Sequence, residues 1–156
     1  MWDMKICKYP SRNKGSKRQR INMIVLHATV IDLPQTLQKL CDPQSHVSAH
    51  YVISKSGDVY ELVEPQYIAW HAGQSQWLGE ADVNQFSIGI ELVNLNDGID
   101  SYPDVQMRAL QSLCQNFMQC YSIPHDRIVG HYEVSPDRKN DPMGFDLHAF
   151  RAALRK

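Results

Sequence analysis

The sequence has no long apolar run, no paired cysteine motif, no internal repeat and almost no net charge, and each absence removes a class of protein. No window reaches the roughly 20 apolar residues of a membrane span, and residues 1–20 lack the apolar h-region of a signal peptide. As written, the chain is expected to stay in the cytoplasm. The 4 cysteines, Cys7, Cys41, Cys114 and Cys120, form no C-x-x-C pair, so reduced, mostly buried thiols are expected. Cys7 follows no hydrophobic stretch ending in small residues, which argues against a lipid-attached cysteine. With 16 basic and 17 acidic residues the net charge of -1 gives no field to gather nucleic acid or acidic membranes. The one basic cluster, Lys14, Lys17, Arg18 and Arg20, is short and free of interleaved aromatics, so residues 1–20 read as a solvated lead-in. At 156 residues and 43% apolar content, what remains (21–156) fits one domain, expected to be monomeric, with a core of its own.

What is present is strand and helix signal in alternation. Ile21–His27 is an apolar, β-branched run of buried-strand length that ends on a histidine. Pro34 opens a short helical piece carrying Leu37 and Leu40, closed by Asp42 and Pro43. His50–Ser54 and Val59–Val63 read as a hairpin across Ser56-Gly57-Asp58. Trp70–Asn84 has too little periodicity for an element and reads as a binding loop. In Phe86–Val93, Ile88, Ile90 and Leu92 share one face, while Ser87, Gly89 and Glu91 share the other. Asp104–Tyr121 carries Val105, Leu110, Leu113, Cys114, Phe117, Met118 and Tyr121 at helical spacing, with Asp104 as N-cap. A short strand, Arg127–His131, again ends in histidine, and Phe145–Leu154 reads as a last helix with Phe150 and Leu154 facing in. The expected fold is α/β (α+β): a central mixed β-sheet of about five strands packed by about three helices.

Two histidines stand at strand ends, His27 and His131, and Asp141 follows the second by ten residues. Two imidazoles and a carboxylate make a three-ligand set that leaves a fourth zinc position for water. Ligands of α/β sheets gather beyond the carboxyl ends of strands, where both histidines lie. Each histidine alone also suits a core or loop role, and Asn140-Asp141-Pro142 is also a turn sequence.

The stretches I-V-L-H-A-T, V-S-A-H-Y-V-I, A-W-H-A-G, F-S-I-G-I-E-L and G-H-Y-E-V-S-P-D-R-K-N-D-P resemble, in order from Ile21 to Phe150, the amidase-2 family of zinc-dependent N-acetylmuramoyl-L-alanine amidases. The likeness is AmpD/AmiD-like, with the fold shared by T7-type lysozyme and peptidoglycan recognition proteins. It implies a Zn2+ hydrolase cutting the amide between the lactyl group of MurNAc, or its 1,6-anhydro form, and L-Ala in cell wall or recycled muropeptides. Residue by residue it implies His27, His131 and Asp141 as zinc ligands at the C-terminal ends of strands, Glu91 as catalytic acid/base and Lys139 as transition-state stabiliser. It also places His50 beside the site, and Trp70, His71, Trp77 and Asn84 along the substrate groove. A mid-strand glutamate and a loop lysine equally suit an exposed face; His50 equally suits strand packing, and Trp70 the core. The His27–His50 loop is nearer the AmiD type, whose members are usually exported, so a periplasmic or phage-delivered wall enzyme is the alternative to a cytoplasmic one. Two other functions stay open: a non-catalytic peptidoglycan-binding module, and a zinc peptidase acting within the stem peptide.

Overall fold

The computed structural model describes residues 4–155. In chain order the elements are β1 (Ile6–Lys8), β2 (Lys14–Lys17), β3 (Met23–Ala28), α1 (Leu33–Cys41), β4 (Tyr51–Ile53), β5 (Val59–Glu61) and β6 (Tyr67–Ala69). They continue with β7 (Gln76–Trp77), β8 (Glu80–Ala81), β9 (Ser87–Leu92), α2 (Asp104–Tyr121), β10 (Ile128–Gly130), α3 (His131–Val134) and α4 (Leu147–Leu154). Six strands form the central mixed sheet in the order β1-β5-β4-β9-β3-β10, one more than expected. Only β4–β5 is antiparallel within it.

The central strands are buried on both faces, which is why β3 reads as a continuous apolar run rather than an alternating one. Ile24, Leu26, Ile88, Ile90 and Leu92 pack with Leu110, Leu113, Cys114 and Phe117 of α2 and Phe150 and Leu154 of α4. Such fully buried aliphatic side chains each contribute roughly 1.5–3 kcal/mol relative to exposure. Met23 and Val25, on the opposite face, join Ala72, Val83, Phe86, Val129 and Val134. Leu37 and Leu40 of α1 cover Val52 and Leu62. The Asp32 side chain caps α1 by accepting from the Gln35 N–H at 3.0 Å.

Several boundaries differ from the sequence reading. The lead-in carries strands of its own: β1 pairs in parallel with β5, and β2 pairs with β6, while Lys14, Lys17 and Arg20 stay exposed. Arg18 is held there by the carbonyls of Pro65, Asn84 and Ser87 at 3.0, 3.0 and 2.6 Å, and burial lowers its pKa to about 10. Residues 1–3 lie outside the described part. The Trp70–Asn84 loop contains the two-residue strands β7 and β8, paired antiparallel. Pro103 rather than Asp104 is the N-cap of α2, Val105 faces solvent, and α4 begins at Leu147. Of the four thiols, all free, only Cys114 is buried. Among the described residues no helix is long and apolar enough to cross a membrane.

Candidate metal centre and active site

The parallel pairing of β3 with β10 brings two strand ends together, and with them the two histidines. His27 is the penultimate residue of β3; His131 lies one step beyond β10 and opens α3 rather than closing the strand. The turn after α3 folds back so that the Asp141 carbonyl accepts from the Tyr132 N–H at 3.2 Å, and this places the Asp141 carboxylate beside both rings. His131 Nδ1 stands 3.2 Å from Asp141 Oδ1, and His27 Nδ1 stands 3.5 Å from Asp141 Oδ2. The two Nδ1 atoms are 3.0 Å apart, and all three residues are buried.

The partners of each ring decide where its proton sits. His131 Nε2 faces the Ala72 carbonyl at 3.0 Å and donates to it, which leaves the Nδ1 lone pair directed at the cluster. Ser87 donates its hydroxyl hydrogen to the Val83 carbonyl at 2.7 Å and so accepts from His71 Nε2 at 3.1 Å. His71 Nδ1 then accepts from His27 Nε2 at 3.0 Å, and His27 Nδ1 also keeps its lone pair. Two lone pairs and a carboxylate therefore converge within 4.8 Å of one another. Among the described residues the sole backbone donor to them is the Ala28 N–H, 3.4 Å from Asp141 Oδ2. Such an acceptor-only cluster calls for a cation, and two imidazole nitrogens with one carboxylate oxygen suit zinc.

Burial, then the neighbouring His131, lowers His27 to about 4, so its ring is neutral at pH 7.

Glu91 sits directly across from His27 in the β3–β9 register and shares its face of the sheet. Burial first, then the Asp141 carboxylate, pushes Glu91 up to about 8, while Lys139 and Lys39 oppose the rise. Its Oε2 is buried without a hydrogen-bond partner. Beside the cluster opens a cleft of about 500 Å³ lined by Glu91, Trp70, His71, Lys39 and Lys139, among others. Lys39 was missed in the sequence, where nothing separates it from any other solvent-facing helix lysine.

Of the expected substrate-groove residues, Trp70 and His71 do line the cleft. His50 does not: it is 0% exposed, accepts from the Gly89 N–H at 3.0 Å and faces the Tyr67 carbonyl at 2.8 Å. Asn84 turns its Oδ1 to the backbone N–H groups of His71 and Ala72 at 3.2 and 2.8 Å, fastening the loop instead of facing substrate. Trp77 packs against the Met23–Phe86 cluster. Gly89 leaves room for the His71 ring: a Cβ there would lie 2.3 Å from His71 Cγ.

Comparison with known proteins gives the same direction. Residues 17–144 match the family Amidase_2, described as N-acetylmuramoyl-L-alanine amidase. The 1,6-anhydro-N-acetylmuramyl-L-alanine amidase AmpD of Escherichia coli is 38% identical over 128 residues, covering 74% of this chain and 68% of the relative. The AmpD of Haemophilus influenzae is 35% identical over 168 residues, covering 94% and 89%. The solved structure of the amidase AmiD from E. coli, in complex with anhydro-N-acetylmuramic acid-L-Ala-D-gamma-Glu-L-Lys, superposes with a TM-score of 0.79 at 32% identity. It covers 90% of this chain and 59% of that one.

Proposed function

The chain belongs to the Amidase_2 family of N-acetylmuramoyl-L-alanine amidases, and from that premise we propose that it is a zinc enzyme acting on muropeptides. The bond cut is the amide between the lactyl group of N-acetylmuramic acid, in its 1,6-anhydro form, and L-alanine. The observation that carries this reading is the acceptor-only cluster of His27, His131 and Asp141 beside a half-buried Glu91 whose Oε2 has no hydrogen-bond partner among the described residues. The anhydro form is favoured by the named activity of the AmpD relatives and by the ligand of the AmiD complex.

His27, His131 and Asp141 would hold the ion. The chemistry that zinc supplies when bound is Lewis acidity toward a carbonyl oxygen and acidification of water toward a pKa of roughly 7. The remaining work falls to the chain's own groups. Glu91, with a pKa of about 8, is poised near neutrality, so it takes a proton from the attacking water and returns it to the leaving nitrogen of L-alanine. Its free Oε2 is the atom that carries that proton. Lys139 brings an ammonium to the cleft wall, where it offsets charge developing on the former carbonyl oxygen; a well-placed donor of this kind contributes about 3–4 kcal/mol. Trp70, on the cleft wall, offers an indole surface to the sugar or stem.

The test pairs metal content with turnover. The purified chain is expected to bind one zinc per molecule, and Glu91→Gln to retain that ion while turnover falls by about 10²- to 10⁴-fold. Turnover near that of the unaltered chain would remove Glu91 from proton transfer; loss of the ion would recast it as a ligand.

A further inference from the structure

His71 has no partner outside the protein that it needs to satisfy: both ring nitrogens are already engaged within the fold. Nδ1 lies 3.0 Å from His27 Nε2 and Nε2 lies 3.1 Å from Ser87 Oγ, which is itself committed to the Val83 carbonyl at 2.7 Å. The chain of donors runs one way only. A hydroxyl has a single hydrogen, and Ser87 spends it on a carbonyl that can only accept, so every proton upstream is assigned.

The ring's position is fixed as tightly as its protons. His71 stands edge to face against His27, with centroids 5.1 Å apart, and against His50 at 5.8 Å. It fills the side-chain slot left open at Gly89, where a Cβ would fall 2.3–2.6 Å from three of its ring atoms. Ser87, Gly89 and Glu91 alternate along one face of β9, so that face carries the relay's end, its seat and the acid/base in succession. Asn84 Oδ1 holds the backbone N–H of His71 in place at 3.2 Å.

We propose that His71 is a positioning residue for the metal centre: the relay Val83–Ser87–His71 keeps the His27 proton on Nε2 and so holds the Nδ1 lone pair toward His131 and Asp141. This rests on the metal reading above and moves His71 from the substrate to the support of a ligand. A ring that anchors the outer nitrogen of a metal-binding histidine sets both tautomer and orientation, and its loss generally weakens binding by about 10- to 100-fold.

The experiment uses the full chain. Zinc affinity is measured by chelator competition, the cobalt-loaded protein is read by its visible d–d bands, and ring ¹H–¹⁵N spectra of the metal-free protein report the His27 tautomer. His71→Leu, which keeps bulk but has no acceptor, is expected to weaken zinc binding by about 10- to 100-fold, shift the cobalt bands and mix the His27 tautomers. His71→Asn, whose Oδ1 can stand where Nδ1 does, is expected to restore affinity to within about threefold. If His71→Leu does not fold, Ser87→Ala tests the outer end of the relay by the same readings, with tautomer mixing expected. Unchanged affinity, bands and tautomer in a folded variant would overturn the proposal. If the unaltered chain binds neither zinc nor cobalt, the metal reading itself fails, and a His27 proton found on Nδ1 in the metal-free spectrum would overturn the relay separately.

Discussion

His131, His27, His71 and His50 follow one another across one end of the sheet, with centroids 4.4, 5.1 and 5.8 Å apart, and their neighbours give them different work. Burial lowers His71 well below the ordinary histidine value and lowers His50 to about 3, in the latter case aided by the Arg18 charge. His50 is satisfied only as a neutral ring, because a proton on Nδ1 would face the Gly89 N–H. The unfolded chain takes up that proton near pH 6.5, whereas the folded chain resists it until about 3, so stability is lost as pH falls through that window. The slope is about 1.4 kcal/mol per pH unit from this one residue. Urea unfolding of His50→Gln between pH 6.5 and 4 is expected to show a slope shallower by that amount. An unchanged slope would mean that His50 is protonated in the folded state. The sequence could not tell adjacency from access: His50 packs edge to face against His71, 5.8 Å between centroids, yet is 0% exposed. Its strand neighbours, Tyr51 and Ala49, are as buried as it is.

At the scale of elements, the long helix α2 shows what apolar spacing reveals and what it hides. The buried stripe is Gln106, Leu110, Leu113, Cys114 and Phe117, and Val105, one residue out of phase, faces water. Gln106 was overlooked because it is polar, although its spacing to Leu110 and Leu113 puts it on the stripe. Its Nε2 donates to the carbonyls of Ile53 and Val93, both at 3.1 Å, and so ties the helix to the ends of β4 and β9. Gln106→Leu is expected to cost about 1–2 kcal/mol, because removing the donor leaves Val93 O unsatisfied in a buried place. A shift in the denaturation midpoint measures this, and no shift would show that water or another donor fills in. The strands β1 and β2 escaped the sequence reading for a related reason. Ile6–Lys8 and Lys14–Lys17 are too short and too charged to signal themselves, and they are strands because β5 and β6 pair with them.

For the molecule as a whole, the sequence revealed the elements that carry their own periodicity and the residues that end them. It could not reveal the order β1-β5-β4-β9-β3-β10, which depends on pairings between distant segments. The candidate metal cluster was legible because His27 and His131 mark the carboxyl ends of two strands and the family blocks surround them. The support beneath it was not. Ser87 and Gly89 meet His71 only after the Trp70–Asn84 loop has folded over β9, and nothing in their spacing announces that contact.

The central claim, a zinc-dependent cut between the lactyl group and L-alanine, is tested most directly by incubating the purified chain with 1,6-anhydroMurNAc-tripeptide and MurNAc-tripeptide, with and without chelator, and weighing the products. The account predicts release of intact tripeptide, faster from the anhydro substrate, abolished by chelation and restored by zinc. Products cut within the stem peptide, or no cleavage of either substrate by the zinc-loaded chain, would contradict it.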